Sequence, residues 1–209
     1  MHGTVPQKVG RVLTNLILHP QYISRCLAHN VVHSRTPLDL EIPWFAYAGI
    51  DFLETFLQPQ MNVCEYGSGG STLFFARRTK HVVSIEDNPL WAELVERRLK
   101  QNSLTNVTLK LCPFDFKNPV GFEQSDYFLA LPDEQFDVIV VDGSEEWTQV
   151  RPTCFRKAEE RVKPGGVIVL DDSWRYPQVR ANHRARSFKT FQSVGPGRPG
   201  VTSTDVFFY

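Results

Sequence analysis

Three glycines at 67, 69 and 70 sit in the stretch Asn62-Val-Cys-Glu-Tyr-Gly-Ser-Gly-Gly-Ser-Thr72, and Glu65 stands two positions before the first of them. Glycines at this spacing let backbone N–H groups approach a bound molecule closely. A helix opening after Ser71 aims its positive end at the same place. The glutamate selects among ligands. Two like charges at about 4 Å cost about 1 kcal/mol in water and about 4 at an effective dielectric of 20. A carboxylate here therefore disfavours a pyrophosphate and favours a ligand with a cationic amine.

Other carboxylates recur at comparable places. Glu86 ends one apolar run, Asp142 follows Val138-Ile-Val-Val141, and Asp171-Asp172 follow Val167-Ile-Val-Leu170; Asp115 lies a few residues beyond another run. Acidic groups at the ends of apolar strands are expensive unless a ligand, a metal or a helix start uses them. Their recurrence points to one shared pocket. Glu86 also follows the first glycine by about 20 residues, the offset at which a carboxylate receives two ribose hydroxyls. With Glu65 in front, the set favours S-adenosylmethionine, whose amino-acid end is a zwitterion. An NAD-dependent oxidoreductase is the competing enzyme reading. It would prefer a third glycine where Thr72 stands and has no use for Glu65. A non-catalytic cofactor-binding domain is the third reading.

The elements that must hold these residues follow from periodicity. Strands are expected near 62–66, 81–86, 107–111, 136–142 and 166–170, with two more near 188–194 and 205–209. Helices are expected over 42–57, 71–80, 89–101 and 150–161. Pro43 falls near the first turn of the first helix, Ser71 or Thr72 can cap the second, Asn88 precedes Pro89 in the third, and Pro152 lies early in the fourth. Near-continuous apolar strands are those of a parallel sheet covered on both faces. The fold class is α/β, a doubly wound sheet with its ligand outside the carboxyl ends of the strands. Residues 1–41 read as an N-terminal helical extension and 42–209 as the main domain. Gly195-Pro-Gly-Arg-Pro-Gly200 reads as a turn between the last two strands.

The chain resembles the class I S-adenosylmethionine-dependent methyltransferases. The matching residues are Glu65-Tyr-Gly-Ser-Gly-Gly-Ser-Thr72, Ser84-Ile-Glu86, Phe136-Asp-Val-Ile-Val-Val-Asp-Gly143 and Val162-Lys-Pro-Gly-Gly-Val-Ile-Val-Leu-Asp-Asp172. The resemblance implies a seven-stranded, mostly parallel, Rossmann-like sheet whose last strand is antiparallel. It implies that Glu65 and the Gly67, Ser68, Gly69, Gly70, Ser71, Thr72 loop hold the methionine end, Glu86 the ribose and Asp115 the adenine amine, with Asp142 facing the transferring methyl. Asp87 is polar where the family often has an apolar wall against the adenine. Asp142, Asp171 and Asp172 are similar to the Mg²⁺ ligands of the cation-dependent small-molecule O-methyltransferases. The alternative is that Asp171 lines the pocket without metal and Asp172 caps the next turn. The lysine those enzymes carry after the first ligand is absent from Asp142-Gly-Ser-Glu-Glu146.

A hydroxyl acceptor needs a base or a metal to weaken its proton. Asp142, Glu145 and His183 are the candidate bases, although Glu145 and Glu146 also suit an exposed helix start. Arg175, Arg180, His183, Arg184, Arg186 and Lys189 form a basic stretch that fits an anionic acceptor or a solvated loop. Trp44, Phe45 and Tyr47 roof the pocket or belong to the core. The segment after the fourth strand lacks the Asn/Asp-Pro-Pro-Tyr of amide- and adenine-methylating enzymes.

Charge and composition narrow the partners. The 209 residues carry 23 basic and 23 acidic side chains, so no global field pulls the chain to nucleic acid or an anionic membrane. No run approaches the roughly 18 apolar residues of a membrane span. The cysteines at 26, 64, 112 and 154 form no Cys-x-x-Cys pair, which suits free thiols in a reducing cytoplasm. A small-molecule acceptor is expected.

Overall fold

Five apolar runs become the parallel strands β1 (Asn62–Tyr66), β2 (His81–Glu86), β3 (Val107–Leu111), β4 (Phe136–Val141) and β5 (Val162–Leu170). With β6 (Ser187–Val194) and β7 (Val201–Phe208) they form one seven-stranded sheet, in the order β3-β2-β1-β4-β5-β7-β6. Strand β7 runs antiparallel to both β5 and β6, as the resemblance implies. This is a computed structural model, and it describes residues 4–32, 35–198 and 200–209. The first three residues and His33 and Ser34 of the N-terminal extension lie outside the described residues, as does Pro199 of the expected late turn.

Two strands are longer than expected. Strand β5 takes in Lys163-Pro-Gly-Gly166, with a register shift against β4 between Phe136 and Val138. Strand β7 begins at Val201, where it pairs with Val194 of β6.

Helices cover both faces: α1 (Val5–Leu18), α2 (Ile23–Leu27), α3 (Pro37–Leu40), α4 (Tyr47–Phe56), α5 (Gly70–Ala76), α6 (Pro89–Gln101), α7 (Asp126–Leu129), α8 (Val150–Ala158) and α9 (Pro177–Ala181). Helix α4 starts at Tyr47, not at 42. Its first turn is fixed from the sheet, because the Ala46 N–H donates to Thr204 Oγ1 at 3.2 Å and the Ala48 N–H to Ser193 Oγ at 3.1 Å. Pro43 therefore precedes the helix. Asn88 does cap α6, its side chain accepting from the Trp91 N–H.

The period-2 alternation of the central strands fills two cores. Cys64, Tyr66, Ile139, Val141 and Ile168 pack with Phe155 on one face. Val63, Val138, Val140, Val167 and Val169 pack with Ile50 and Phe74 on the other. Each such side chain contributes about 1.5–3 kcal/mol when fully buried. The second face extends outward to Val12 and Leu16 of α1. Among the described residues no helix is long and apolar enough to cross a membrane. All four cysteines are free thiols.

Candidate active site

Strand register brings the carboxyl ends together. Tyr66 lies level with Ile85 and Val141, and Val141 lies level with Leu170. The chain leaves β1, β2, β4 and β5 along one edge, and a cleft of about 720 Å³ opens there. Gly67, Ser68, Glu86, Asp87, Asn88 and Trp91 line one half, with Phe114 and Phe116 beside them. Asp142, Gly143, Ser144, Glu145 and Glu146 line the other, with Arg151, Asp172, Arg175, Arg198 and Trp44.

Gly67 has no room for a side chain. Its φ is +91°, and a Cβ there would lie 2.7 Å from the Asp142 carbonyl oxygen. Gly67→Ala should therefore lower stability by about 2 kcal/mol or more. Urea unfolding will read this, and an unchanged midpoint would show that the turn tolerates a side chain. Gly70 is closed by the Pro37 and Ile42 carbonyls, so the segment before α4 seats on the first turn of α5.

Glu86 ties two turns together. Its Oε2 accepts from the Ser68 N–H at 2.9 Å and Ser68 Oγ at 2.6 Å, and its Oε1 from the Asp87 and Asn88 N–H groups at 3.1 and 2.9 Å. Neighbouring Asp87 is pushed up to about 6 by burial and then by the Glu86 charge.

Glu65 does not stand on the cleft wall. It is fully buried beneath the glycine turn, where its Oε1 accepts from Thr72 Oγ1 at 2.5 Å and Ser84 Oγ at 2.8 Å. Its Oε2 is buried with no partner. Burial pushes this carboxyl up to about 7 against the opposing pull of the Thr72, Ser71 and Ser84 hydroxyls. Ser71 and Thr72 are likewise internal to α5 and not its cap. Thr72 Oγ1 accepts from the Gly69 N–H, bracing the turn from inside. An unsatisfied carboxylate oxygen under the turn suits a ligand ammonium above it and opposes a diphosphate. The donor chemistry here fits S-adenosylmethionine.

Asp142 faces the cleft with its Oδ1 held 3.0 Å from Arg151 Nη2. Burial pushes its carboxyl up to about 6, with Arg151 pulling the other way. Arg151 is itself buried. It donates through Nε to the Gly143 carbonyl at 3.0 Å and through Nη1 to the Asp171 carbonyl at 2.9 Å. Glu145 lies 3.4 Å from Arg151 and 3.1 Å from Arg175, and burial raises its carboxyl. Arg151→Met would leave the Asp142 charge and two carbonyls unpaired and should cost about 3–5 kcal/mol of stability. Chemical denaturation at pH 7.5 measures it, and a change under 1 kcal/mol would mean that Asp142 is solvated by other means.

The three aspartates do not fit a divalent cation. Asp172 Oδ1 accepts from Arg198 Nη1 at 2.7 Å and Thr202 Oγ1 at 2.5 Å. Burial opposes its charge, yet Arg198 and Thr202 hold the carboxyl well below the usual range. Asp171 is fully buried, and its Oδ1 accepts from Thr204 Oγ1 at 2.6 Å. Burial, then the charges of Asp142 and Asp172, push the Asp171 carboxyl up. Hard cations need several carboxylate oxygens converging on one point. Here the aspartates face Arg151, Arg175 and Arg198. Among the described residues no three His, Cys, Asp or Glu side chains stand together as a metal set. Catalysis should therefore survive exhaustive EDTA treatment, and loss of turnover restored by Mg²⁺ would overturn that reading.

Several expected residues sit elsewhere. Asp115 is exposed and accepts from the Lys117 N–H; Phe114 and Phe116, on either side of it, face the cleft instead. His183 packs its ring against Phe188 and Phe207, away from the cleft lining. Of the basic stretch, Arg175 reaches the cleft, while Arg180 is spent on Asp205 at 2.5 and 3.0 Å. Trp44 lines the cleft, but Phe45 and Tyr47 are core. Arg151 and Arg198 were not expected. An arginine on the first turn of the helix after Asp142 was the available signal for the first; Arg198 sat in a segment read simply as a turn.

The sequence matches the family described as a methyltransferase domain over residues 64–173. The chain belongs to that family, and it is a class I S-adenosylmethionine-dependent methyltransferase. No curated protein matches it. Among solved structures it resembles a candidate O-methyltransferase from Klebsiella pneumoniae, with 15% identity, TM-score 0.62, and 97% of this chain and 98% of that chain covered. It also resembles the O-methyltransferase from Bacillus cereus in complex with S-adenosylhomocysteine, with 16% identity, TM-score 0.56, and 96% and 99% covered. An rRNA methylase from Streptococcus thermophilus matches at 15% identity and TM-score 0.56, over 83% and 97%. These likenesses show the fold.

Proposed function

We propose that the enzyme methylates a hydroxyl of a small-molecule acceptor, with Asp142 as general base and without a divalent metal. The observation that carries this is the Asp142 carboxyl, at the cleft end of β4, raised to about 6 by burial and held by Arg151. A carboxylate poised there is a stronger base than an ordinary aspartate and is still ionised at neutral pH.

When bound, the cofactor supplies an electrophilic methyl group on a sulfonium. The chain's own residues do the rest. Glu65 balances the ammonium from beneath the turn, and Gly67 and Ser68 give backbone approach. Glu86 receives the ribose hydroxyls in place of the Ser68 hydroxyl it now holds. Phe114 and Phe116 offer apolar faces to the adenine. Asp142 accepts the acceptor's proton, and Arg151 keeps the carboxylate in place through the transfer. Positioning supplies the remainder of the rate.

The rim argues against an RNA acceptor. Glu86, Asp87, Glu145 and Glu146 face the cleft, and its Arg151, Arg175 and Arg198 are each paired with a carboxylate, whereas phosphate backbones bind where lysine and arginine release counterions. Labelled methyl transfer into phenolic, sugar and carboxylate acceptors, with EDTA present, tests the reading. Product on a hydroxyl acceptor is expected. Transfer confined to RNA, or stabilisation by NAD and not by S-adenosylhomocysteine in a thermal-shift assay, would overturn it.

A further inference from the structure

A second cavity, of about 770 Å³, meets the cleft at Trp44 and Arg198, which line both. Val5, Val9 and Leu13 of α1 form one side of it. They recur every four residues, so they share one face of the helix. They are 74%, 52% and 56% exposed, whereas Leu16 of the same helix packs on the core and Val12 borders both core and chamber. Helix α1 thus has one apolar face engaged and another turned to an open chamber. Exposed apolar faces of this kind mark binding sites.

The polar groups of the chamber are one-sided. Its charged lining is Lys8, Arg35 and Arg198, the last already holding Asp172 at 2.7 Å, beside the neutral Asn30 and Thr36, and no carboxylate lines it among the described residues. Apolar walls with cations at intervals suit a molecule with an apolar body and an anionic group. The partition is tight as well as shared: a Cβ on Gly197 would lie 2.8 Å from Trp44 Nε1.

We propose that this chamber holds the body of the acceptor, and that the acceptor is an amphiphilic anion. Its apolar part lies against Val5, Val9 and Leu13, and its reacting end enters the cleft past Trp44 and Arg198. This rests on the small-molecule reading above.

Calorimetric titration of the full chain, saturated with S-adenosylhomocysteine, tests it with decanoate, butyrate and decylammonium as probes. Decanoate should bind at least about 100-fold more tightly than butyrate, because up to six more methylenes are taken out of water. It should bind at least about tenfold more tightly than decylammonium. Val9→Asp, at an exposed position outside the cleft, should weaken decanoate by about tenfold or more and leave S-adenosylhomocysteine affinity unchanged. Equal affinity for the long and short acids, preference for the amine, or indifference to Val9→Asp would overturn the proposal. A sedimenting dimer that Val9→Asp dissociates, with no chain-length dependence, would assign the face to a second copy. Binding to neutral phosphatidylcholine vesicles that Val9→Asp abolishes, again without chain-length dependence, would assign it to a lipid surface. Failure of the wild-type chain to bind S-adenosylhomocysteine would instead mark failure of the methyl-transfer reading, and of the acceptor role with it.

Discussion

Asp142→Asn should lower kcat by roughly 10²–10⁴-fold while S-adenosylhomocysteine affinity stays within about threefold, because the variant keeps the shape of the side chain and loses its basicity along with its charge on Arg151. The pH profile gives the sharper signature. A base works when deprotonated, so wild-type kcat/KM should rise about tenfold per pH unit up to about 6, where burial has placed the Asp142 carboxyl, and level off above it. An ordinary aspartate would level off near 4. The residual activity of Asp142→Asn should lack that limb. Glu145→Gln is the control: its carboxylate lies between Arg151 and Arg175 and should change kcat by less than about tenfold. Undiminished turnover in Asp142→Asn, or a larger loss in Glu145→Gln, would move the base from one residue to the other.

Glu86→Gln should weaken S-adenosylhomocysteine binding by about 100-fold or more. The carboxylate accepts from four donors on two separate turns. An amide has one accepting end, so two of those donors would face an NH₂ group whichever way the side chain turns. Hydrogen bonds to a charged group are worth about 1.5–3 kcal/mol each, and buried donors left without partners cost about as much again. The ribose would lose its acceptor while the glycine turn loses its anchor. Calorimetry reads the affinity, and the unfolding midpoint separates loss of the turn from loss of the ligand contact. Affinity within threefold of wild type would remove Glu86 from the cofactor site.

The carboxylates of the cleft were legible because strand period and glycine spacing are local signals. Glu86 and Asp142 leave β2 and β4 at the level that a run of apolar residues indicates, and the sheet brings them to one edge on either side of β1. What decides their chemistry was not local. Arg151 reads in sequence as one more charge on a helix, and only the packing of α8 under the strand ends reveals it as buried between Asp142 and the Asp171 carbonyl. Asp171 and Asp172 look like a metal pair until Thr202 and Thr204, thirty residues on, are seen to donate to them. The start of α4 was missed for the same reason, since Thr204 and Ser193 fix it from distant strands. Asp115 lies in the loop after β3, where no strand period applies, and the residues before and after it line the cleft in its stead. His183 lies in a basic stretch of the chain, but its ring sits on Phe188 and Phe207.

Strand β7 is inserted between β5 and β6, and from that interior place Thr202, Thr204 and Asp205 secure Asp172, Asp171 and Arg180. This has a consequence for folding during synthesis. A nascent chain arrested on the ribosome before residue 201 would expose the open edge of β5 and two buried aspartates with no hydroxyl to meet them, a state open to aggregation. The glycine turn emerges early, yet the pocket it belongs to is finished by the last strand of the sheet.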